Sequence, residues 1–185
     1  NDSSSLKKII PELESDIERL EQVSRRFSKM GSKPEMEYFD LSNKVENVLT
    51  YLKRRIPTLG KKVELVNNIE PDIEIKANGT LLSWAIENLI KNSIDSISGD
   101  LGSIHVSMRK NKSNVKIRIS DNGCGIPKKD WKNIFRPGFS TKKSGWGLGL
   151  SLCQRIINEV HKGELYIKES SEDAGTIFEI NIPAN

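Results

Sequence analysis

Three stretches in the second half of this 185-residue chain combine side chains suited to a hard cation, a polar base and phosphate groups. The first is Glu87-Asn88-Leu89-Ile90-Lys91-Asn92-Ser93-Ile94-Asp95. Asn88 and Asn92 are four apart and share one face of a helix. Two amide oxygens stacked there can ligate a hard cation, which takes oxygen ligands and itself holds phosphates. Asparagine pairs on helices are usually solvated, so the pair alone assigns no ligand. The second stretch is Asp121-Asn-Gly123-Cys-Gly125-Ile126-Pro127, directly after an alternating strand. Its two glycines let the backbone turn sharply and approach a ligand closely. Asp121 can accept a hydrogen bond from an amino group such as that of adenine. An Asp-Asn-Gly turn is also a common purely structural device.

The third stretch runs Phe135-Arg-Pro-Gly-Phe-Ser140-Thr141-Lys142-Lys-Ser-Gly145-Trp-Gly147-Leu148-Gly149-Leu. A polar loop passes three glycines in five residues and enters a helix. Backbone N–H groups at such a helix start make an anion site. Ser140, Thr141 and Lys142 add hydroxyl donors and a positive charge. No Gly-Lys-Ser/Thr follows the glycines, so this is not a Walker A loop. No strand directly precedes it, so it is not a dinucleotide-binding fingerprint either.

The elements that must position these residues follow from periodicity. Leu6, Ile10, Leu13, Ile17, Leu20, Ser24 and Phe27 repeat at 4-3 spacing, a narrow apolar seam on one helix that needs a partner helix. Pro11 suits the first turn of such a helix. Gly31 to Phe39 reads as a linker and hinge. Asp40 is placed to cap a helix carrying Leu41, Val45, Val48, Leu49, Leu52 and Ile56, which stops before Pro57. Residues 62–67 and 73–76 are short strand candidates, and Asn78 can cap a long helix through Ile97. Ile104, Val106 and Met108, then Val115, Ile117 and Ile119, alternate with polar residues as two half-buried strands. A helix over 148–160 and strands over 164–168 and 176–182 close the chain. Helices on one layer and strands on the other predict a two-layer α/β (α+β) sandwich with a mainly antiparallel, one-sided sheet.

Composition narrows the function classes. Hydrophobic residues at 36% and charged residues at 29% describe a globular chain. No apolar run approaches the roughly 20 residues of a membrane span. The net charge is +4 and the pI about 9.0, but the positive charge is scattered and not interleaved with aromatics, so no nucleic-acid partner is expected. Cys124 and Cys153 have no metal-ligand spacing and read as free thiols in a reducing compartment. The chain opens at Asn1 without a methionine and reads as a fragment, any membrane anchor lying outside it.

Taken in order, the Asn-x-x-x-Asn helix, DxGxGIP, FxPGFSTK, GxGLGL and Gly175-Thr176-Ile-Phe178 resemble the GHKL ATPases, specifically the catalytic domain of sensor histidine kinases. The resemblance covers about residues 40–183. It implies the GHKL (Bergerat) fold over 34–185, with ATP and Mg²⁺ as ligands. By motif, Asn92 would ligate Mg²⁺ with Asn88 assisting, and Asn92 and Lys142 would serve catalysis. Asp121 would hold the adenine amino group, Gly123, Gly125 and Ile126 would line the base pocket, and Thr176 would complete the base contact. Residues 136–146 would form a mobile lid, with Ser140, Thr141 and Lys142 near the phosphates. Gly145, Gly147, Leu148 and Gly149 would supply the phosphate loop. Where many such kinases carry Lys or His after the second Asn, this chain has Asp95, which points to Lys142 as the phosphate contact. Glu87 is one residue off the spacing of the water-activating carboxylate of hydrolytic relatives. The lid and PGFSTKK are similar to the nitrogen-sensor type of kinase.

The coiled-coil-like helix over 1–33 then resembles the second helix of a dimerisation and phosphotransfer hairpin, implying a homodimer. His105 reads as an exposed strand residue and His161 as part of a structural turn. The phosphoacceptor histidine is therefore expected upstream of Asn1, and the chain is expected to bind nucleotide without phosphorylating itself. A response-regulator receiver domain would take the phosphoryl group on an aspartate, in the cytoplasm. The alternatives are a non-kinase GHKL ATPase and a non-enzymatic nucleotide-binding dimerisation module.

Overall fold

In a computed structural model, the structure describes residues 34–98, 101–142, 146–172 and 174–184. The expected N-terminal helix over 1–33 and Gly145 lie outside these residues. Met36–Asn185 form one compact unit.

Strand β1 (Glu37–Asp40) runs directly into helix α1 (Leu41–Arg55). Asp40 ends the strand and caps the helix, its carboxylate accepting the Asn43 N–H at 3.2 Å. A 3₁₀ turn over Ile56–Leu59 accommodates Pro57 near its start, where a missing N–H costs nothing. β2 (Val63–Ile69) and β3 (Glu74–Ala77) follow. Asn78 caps α2 (Gly79–Ser96) by accepting the Leu81 N–H at 3.0 Å. β4 (Gly102–Lys110) and β5 (Asn114–Asp121) come next, then 3₁₀ turns over Lys128–Asp130 and Asn133–Phe135. α3 (Gly149–Arg155) passes into a π turn over Ile156–Val160, and β6 (Glu164–Ser171) and β7 (Gly175–Pro183) complete the described fold.

The main sheet has the order β2-β4-β5-β7-β6. Only β2 and β4 run parallel, and the crossover that a parallel pair requires is supplied by β3 and α2. Every other neighbour pair is antiparallel. Period-2 alternation puts Ile104, Val106, Met108, Val115, Ile117, Ile119, Phe178, Ile180 and Ile182 on one face, each at most 3% exposed. From α2, Leu82, Ala85, Ile86, Leu89, Ile90 and Ile94 are buried equally deeply. At about 1.5–3 kcal/mol for each large apolar side chain removed from water, this layer contact dominates the stability of the fold. The two-layer, mainly antiparallel architecture is the one the alternation predicts.

Two local expectations change. Glu37–Asp40, assigned in part to a linker, is a strand that pairs antiparallel with Glu74–Ala77, Phe39 standing opposite Ile75. A pairing between segments so distant in sequence leaves no local signature, and Phe39 instead packs on Gly79, where an added Cβ would lie 3.3 Å from the ring. The last helix is not continuous α-helix. His161 N–H bonds to the Ile156 carbonyl at 3.2 Å, five residues back, and the ring Nδ1 approaches the same carbonyl at 2.8 Å. That wider turn brings His161 inside, 5% exposed, where its Nε2 accepts the Asn78 N–H at 3.1 Å. Burial lowers the pKa of this histidine, and its acceptor role at Nε2 requires the neutral ring protonated on Nδ1.

Candidate nucleotide site

One part of the candidate site is organised by Asp121, the last residue of β5, which lies opposite Thr176 of β7 in the sheet register. Its carboxylate is 6% exposed. Oδ2 accepts the Ser93 hydroxyl at 2.6 Å, and Oδ1 accepts the Gly123 N–H at 3.0 Å and the Thr176 N–H at 3.2 Å. Ser96 Oγ donates to the Ser93 carbonyl at 2.8 Å and also lies 3.3 Å from Oδ1. Each contact satisfies part of a charge that burial would otherwise make expensive.

The glycines around it are required by space. A Cβ at Gly123 would fall 1.9 Å from Ser96 Oγ, and one at Gly125, where φ is +72°, would fall 1.8 Å from the Ser171 carbonyl oxygen. Ile126 is pinned on both sides: its N–H reaches Ser170 Oγ at 2.8 Å and its carbonyl accepts the Trp131 indole N–H at 3.0 Å. Ser170 also bonds the Gly175 carbonyl at 3.0 Å and meets the Thr176 hydroxyl at 2.9 Å. With Ser170's single proton on Gly175, the Thr176 hydroxyl is the donor between them. Asp121, Gly123, Gly125, Ile126 and Thr176 are thus brought together.

The other part is built on α2 residues between Asn88 and Asp95. Asn88 contacts the start of α3: a Cβ at Gly149 would lie 2.8 Å from Asn88 Nδ2, which bonds Cys153 Sγ at 3.3 Å. Asn92 Oδ1 accepts from Lys142 Nζ at 3.2 Å, and the same ammonium pairs with Asp95 Oδ2 at 2.6 Å. The base of the loop is closed by the Gly138 N–H on the Gly147 carbonyl at 3.1 Å. Gly147 has φ +66° and no room for a Cβ, which would sit 2.4 Å from the Gly138 carbonyl carbon. At the N-cap of α3, Leu148 provides no side-chain cap to the first-turn N–H groups. Ser140 Oγ accepts the Lys142 N–H at 3.1 Å, so its hydroxyl serves the loop itself, and Thr141 is exposed. Asn88, Asn92, Lys142, Gly147, Leu148 and Gly149 therefore converge, while Ser140 and Thr141 stay within the loop.

Asn92 and Asp95 offer oxygen donors of the kind Mg²⁺ takes, and they already converge on one cation, the Lys142 ammonium. No cluster of three His, Cys, Asp or Glu side chains suited to a metal occurs among the described residues, so a metal here would draw its other ligands from phosphate oxygens and water. Glu87 pairs with Lys91 one turn along the helix at 2.5 Å. His105 is exposed beside Ser103, as expected of a strand residue.

Several contacts of the candidate site left no mark in the motifs. Ser93 and Ser96 hold Asp121, Ser170 orders Ile126 and Thr176, and Asp95 holds Lys142. Ser93 did leave a trace, being a polar residue on the apolar side of α2 and 1% exposed. A buried hydroxyl there requires a partner.

Residues 77–185 match the family model described as histidine kinase-, DNA gyrase B- and HSP90-like ATPase. Sporulation kinase B of Bacillus subtilis (strain 168) is 32% identical over 173 residues, covering 92% of this chain and 40% of that protein. Among solved structures, a nucleotide-free form of the catalytic domain of histidine kinase ThkA is 26% identical with a TM-score of 0.72, covering 81% of this chain and 96% of that one. A crystal structure of ThkA in complex with the response regulator protein TrrA shares the fold at 23% identity and a TM-score of 0.76, covering 97% of this chain and 52% of that one. The chain spans less than half the length of the curated relative named here. By this match, and by the sandwich and glycine turns already described, the chain belongs to the family of histidine kinase-, DNA gyrase B- and HSP90-like ATPases.

Proposed function

We propose that this chain is the ATP-binding catalytic core of a two-component sensor histidine kinase, handing the γ-phosphoryl group of ATP to a histidine on another segment and thence to a response-regulator aspartate. The observation that carries the reading is the buried Asp121 carboxylate, fixed by Ser93, Gly123 and Thr176 beside a glycine turn with no room for a side chain at Gly123 or Gly125. Its role would be to accept from the adenine amino group, with Thr176 beside it and Gly125 and Ile126 along the base. At the other end, Asn92 with Asn88 would hold Mg²⁺, which on binding would neutralise phosphate charge. Lys142 would contact the phosphates, and the first-turn N–H groups at Gly149, with Gly147 and Leu148 before them, would face their oxygens. Catalysis in such a site is positioning and charge stabilisation, since the chain need supply no covalent partner.

The similarity to sporulation kinase B and to the ThkA catalytic domain supports the kinase reading. ThkA's complex with a response regulator supports a receiver domain as partner. Glu87, held by Lys91, speaks against the hydrolytic alternative, which needs a carboxylate free to activate water. In this reading residues 1–33 are the second helix of a dimerisation hairpin that makes the parent a homodimer, and 34–185 are the catalytic domain. No helix of the described residues is long and apolar enough to cross a membrane. In this reading the use of ATP would put the domain on the cytoplasmic side. The test is calorimetric titration with ATP and Mg²⁺ of the chain and its Asp121→Asn variant. Loss of a charged acceptor in a buried site lowers affinity about 10- to 100-fold. Equal affinity of the two proteins removes the assignment.

A further inference from the structure

We propose that Asn92 and Asp95 form a single cation seat that takes either the Lys142 ammonium or the Mg²⁺ that accompanies a nucleotide, one excluding the other. The inference rests on reading this cleft as an Mg·ATP site. Asn92 and Asp95 lie three apart on α2, so their side chains are neighbours on the helix surface. Lys142 comes from the loop, 50 and 47 residues away in sequence. Its Nζ lies 3.2 Å from Asn92 Oδ1 and 2.6 Å from Asp95 Oδ2. The third charged side chain nearby on the helix, Lys91, is engaged by Glu87 and leaves the seat to Lys142.

An ammonium is a compact point charge with donors only, so the oxygens that converge on it mark a place of negative potential. Mg²⁺ seeks the same lone pairs, and usually takes one or two carboxylate or amide oxygens together with phosphates and water. Two cations sharing the Asn92 oxygen repel, so lysine and metal exclude one another. The lysine pair is half-exposed, 44% for Lys142 and 51% for Asp95, which keeps the contact weak enough for a divalent ion to displace. Asp95 then changes partner from the ammonium to the metal or its water shell, and Lys142 is released towards the phosphates. Loop position and metal binding become linked through one carboxylate.

The experiment measures ADP affinity of the 185-residue chain by calorimetry across a series of MgCl₂ concentrations, and compares the Mg²⁺ midpoint with those of Lys142→Met and Asp95→Asn. The midpoint is informative because a lost lysine–phosphate contact lowers affinity at every Mg²⁺ concentration. Association of Mg²⁺ with free ADP is common to all three proteins. Removing the competitor in Lys142→Met lowers the midpoint about 2- to 5-fold, the range set by an exposed ion pair. Removing the carboxylate in Asp95→Asn raises it about threefold or more, because the metal loses a ligand charge. A midpoint unchanged or raised in Lys142→Met overturns the exchange. A midpoint unchanged or lowered in Asp95→Asn overturns the seat, a fall meaning that Asp95 merely tethers the lysine. If the unaltered chain shows no Mg²⁺-enhanced ADP binding, the site reading fails and this inference with it. If it does, and the variants move otherwise, only the inference fails.

Discussion

Asp121, bonded to α2, and Asp95, borne on α2, have surroundings that differ in kind. Asp121 is 6% exposed and receives a hydroxyl and two backbone N–H groups, from α2, the following turn and β7. Asp95 has a half-exposed side chain and one long, flexible partner, Lys142. The Asp121 end, proposed to hold the base, is rigid because its donors are backbone groups and a short side chain held by a helix, a turn and a strand. The Asp95 end, proposed to face the phosphates, has its contacts on the tips of half-exposed side chains, which suits the exchange of partners proposed above. Preorganisation suits an invariant ligand edge, and exchange suits phosphates and metal that must enter and leave. Glu179, on the far face of the sheet, is a useful third case. It is as buried as Asp121 yet faces Arg118 and Tyr166 across neighbouring strands and Lys116 beside them.

Glycine substitutions should separate the two regions by the largest margin. Gly125→Ala meets both a positive φ and the Ser171 carbonyl, and is expected to cost about 3 kcal/mol or more and to abolish ADP binding. Gly138 in the loop has φ +84° but open space around it, so Gly138→Ala should cost only about 1–2 kcal/mol. Urea denaturation midpoints measure both, and equal costs would mean that the base end is no more rigid than the loop.

Glu179→Gln comes next. The Glu179 carboxyl is held down to about 2, its burial outweighed by the Tyr166, Arg118 and Lys116 hydrogen bonds. A depressed folded pKa gives stability that is complete above the ordinary glutamate range, about 4.3, and fades as pH falls towards 2. With Lys116 and Arg118 about 40% exposed, the contribution is about 1–2 kcal/mol. Acid titration of the denaturation midpoint should flatten over that window in the variant, while ADP affinity stays unchanged. Altered affinity would show that the two buried carboxylates are not separate systems.

The finest discrimination lies within α2. Ser93→Ala leaves a buried Asp121 lone pair unmet and should cost about 1–2 kcal/mol, whereas Asp95→Ala, three residues on from Asn92, should change stability by less than about 1 kcal/mol. Thermal or urea unfolding reads both. A larger cost at Asp95 would invert the picture of a rigid base end and an exchangeable phosphate end.

Much of this molecule is legible from residue order. The caps at Asp40 and Asn78, the alternation of Ile104 to Met108 and Val115 to Ile119, and the apolar stripe of α2 are local rules of spacing, and they act as read. The motif glycines at 123, 125, 147 and 149 also announce themselves, since glycine clustering has few other uses. The pairing of Glu37–Asp40 with Glu74–Ala77 could not be read, because its partner lies more than thirty residues away and its four residues carry no alternation. The π turn before His161 escaped for a similar reason: the Asn78 N–H that its ring meets lies 83 residues distant.

Sequence alone determined which residues can do chemistry and which face of each element is apolar, because both depend on side-chain type and on periods of 2 and 3.6 residues. Tertiary structure alone decided which polar groups meet. Ser93 finds Asp121, Asp95 finds Lys142 and Glu179 finds Arg118 only once α2, the loop and the sheet are packed. The partner of a buried or half-buried polar group is fixed by where the backbone brings it, and no local spacing encodes that distance.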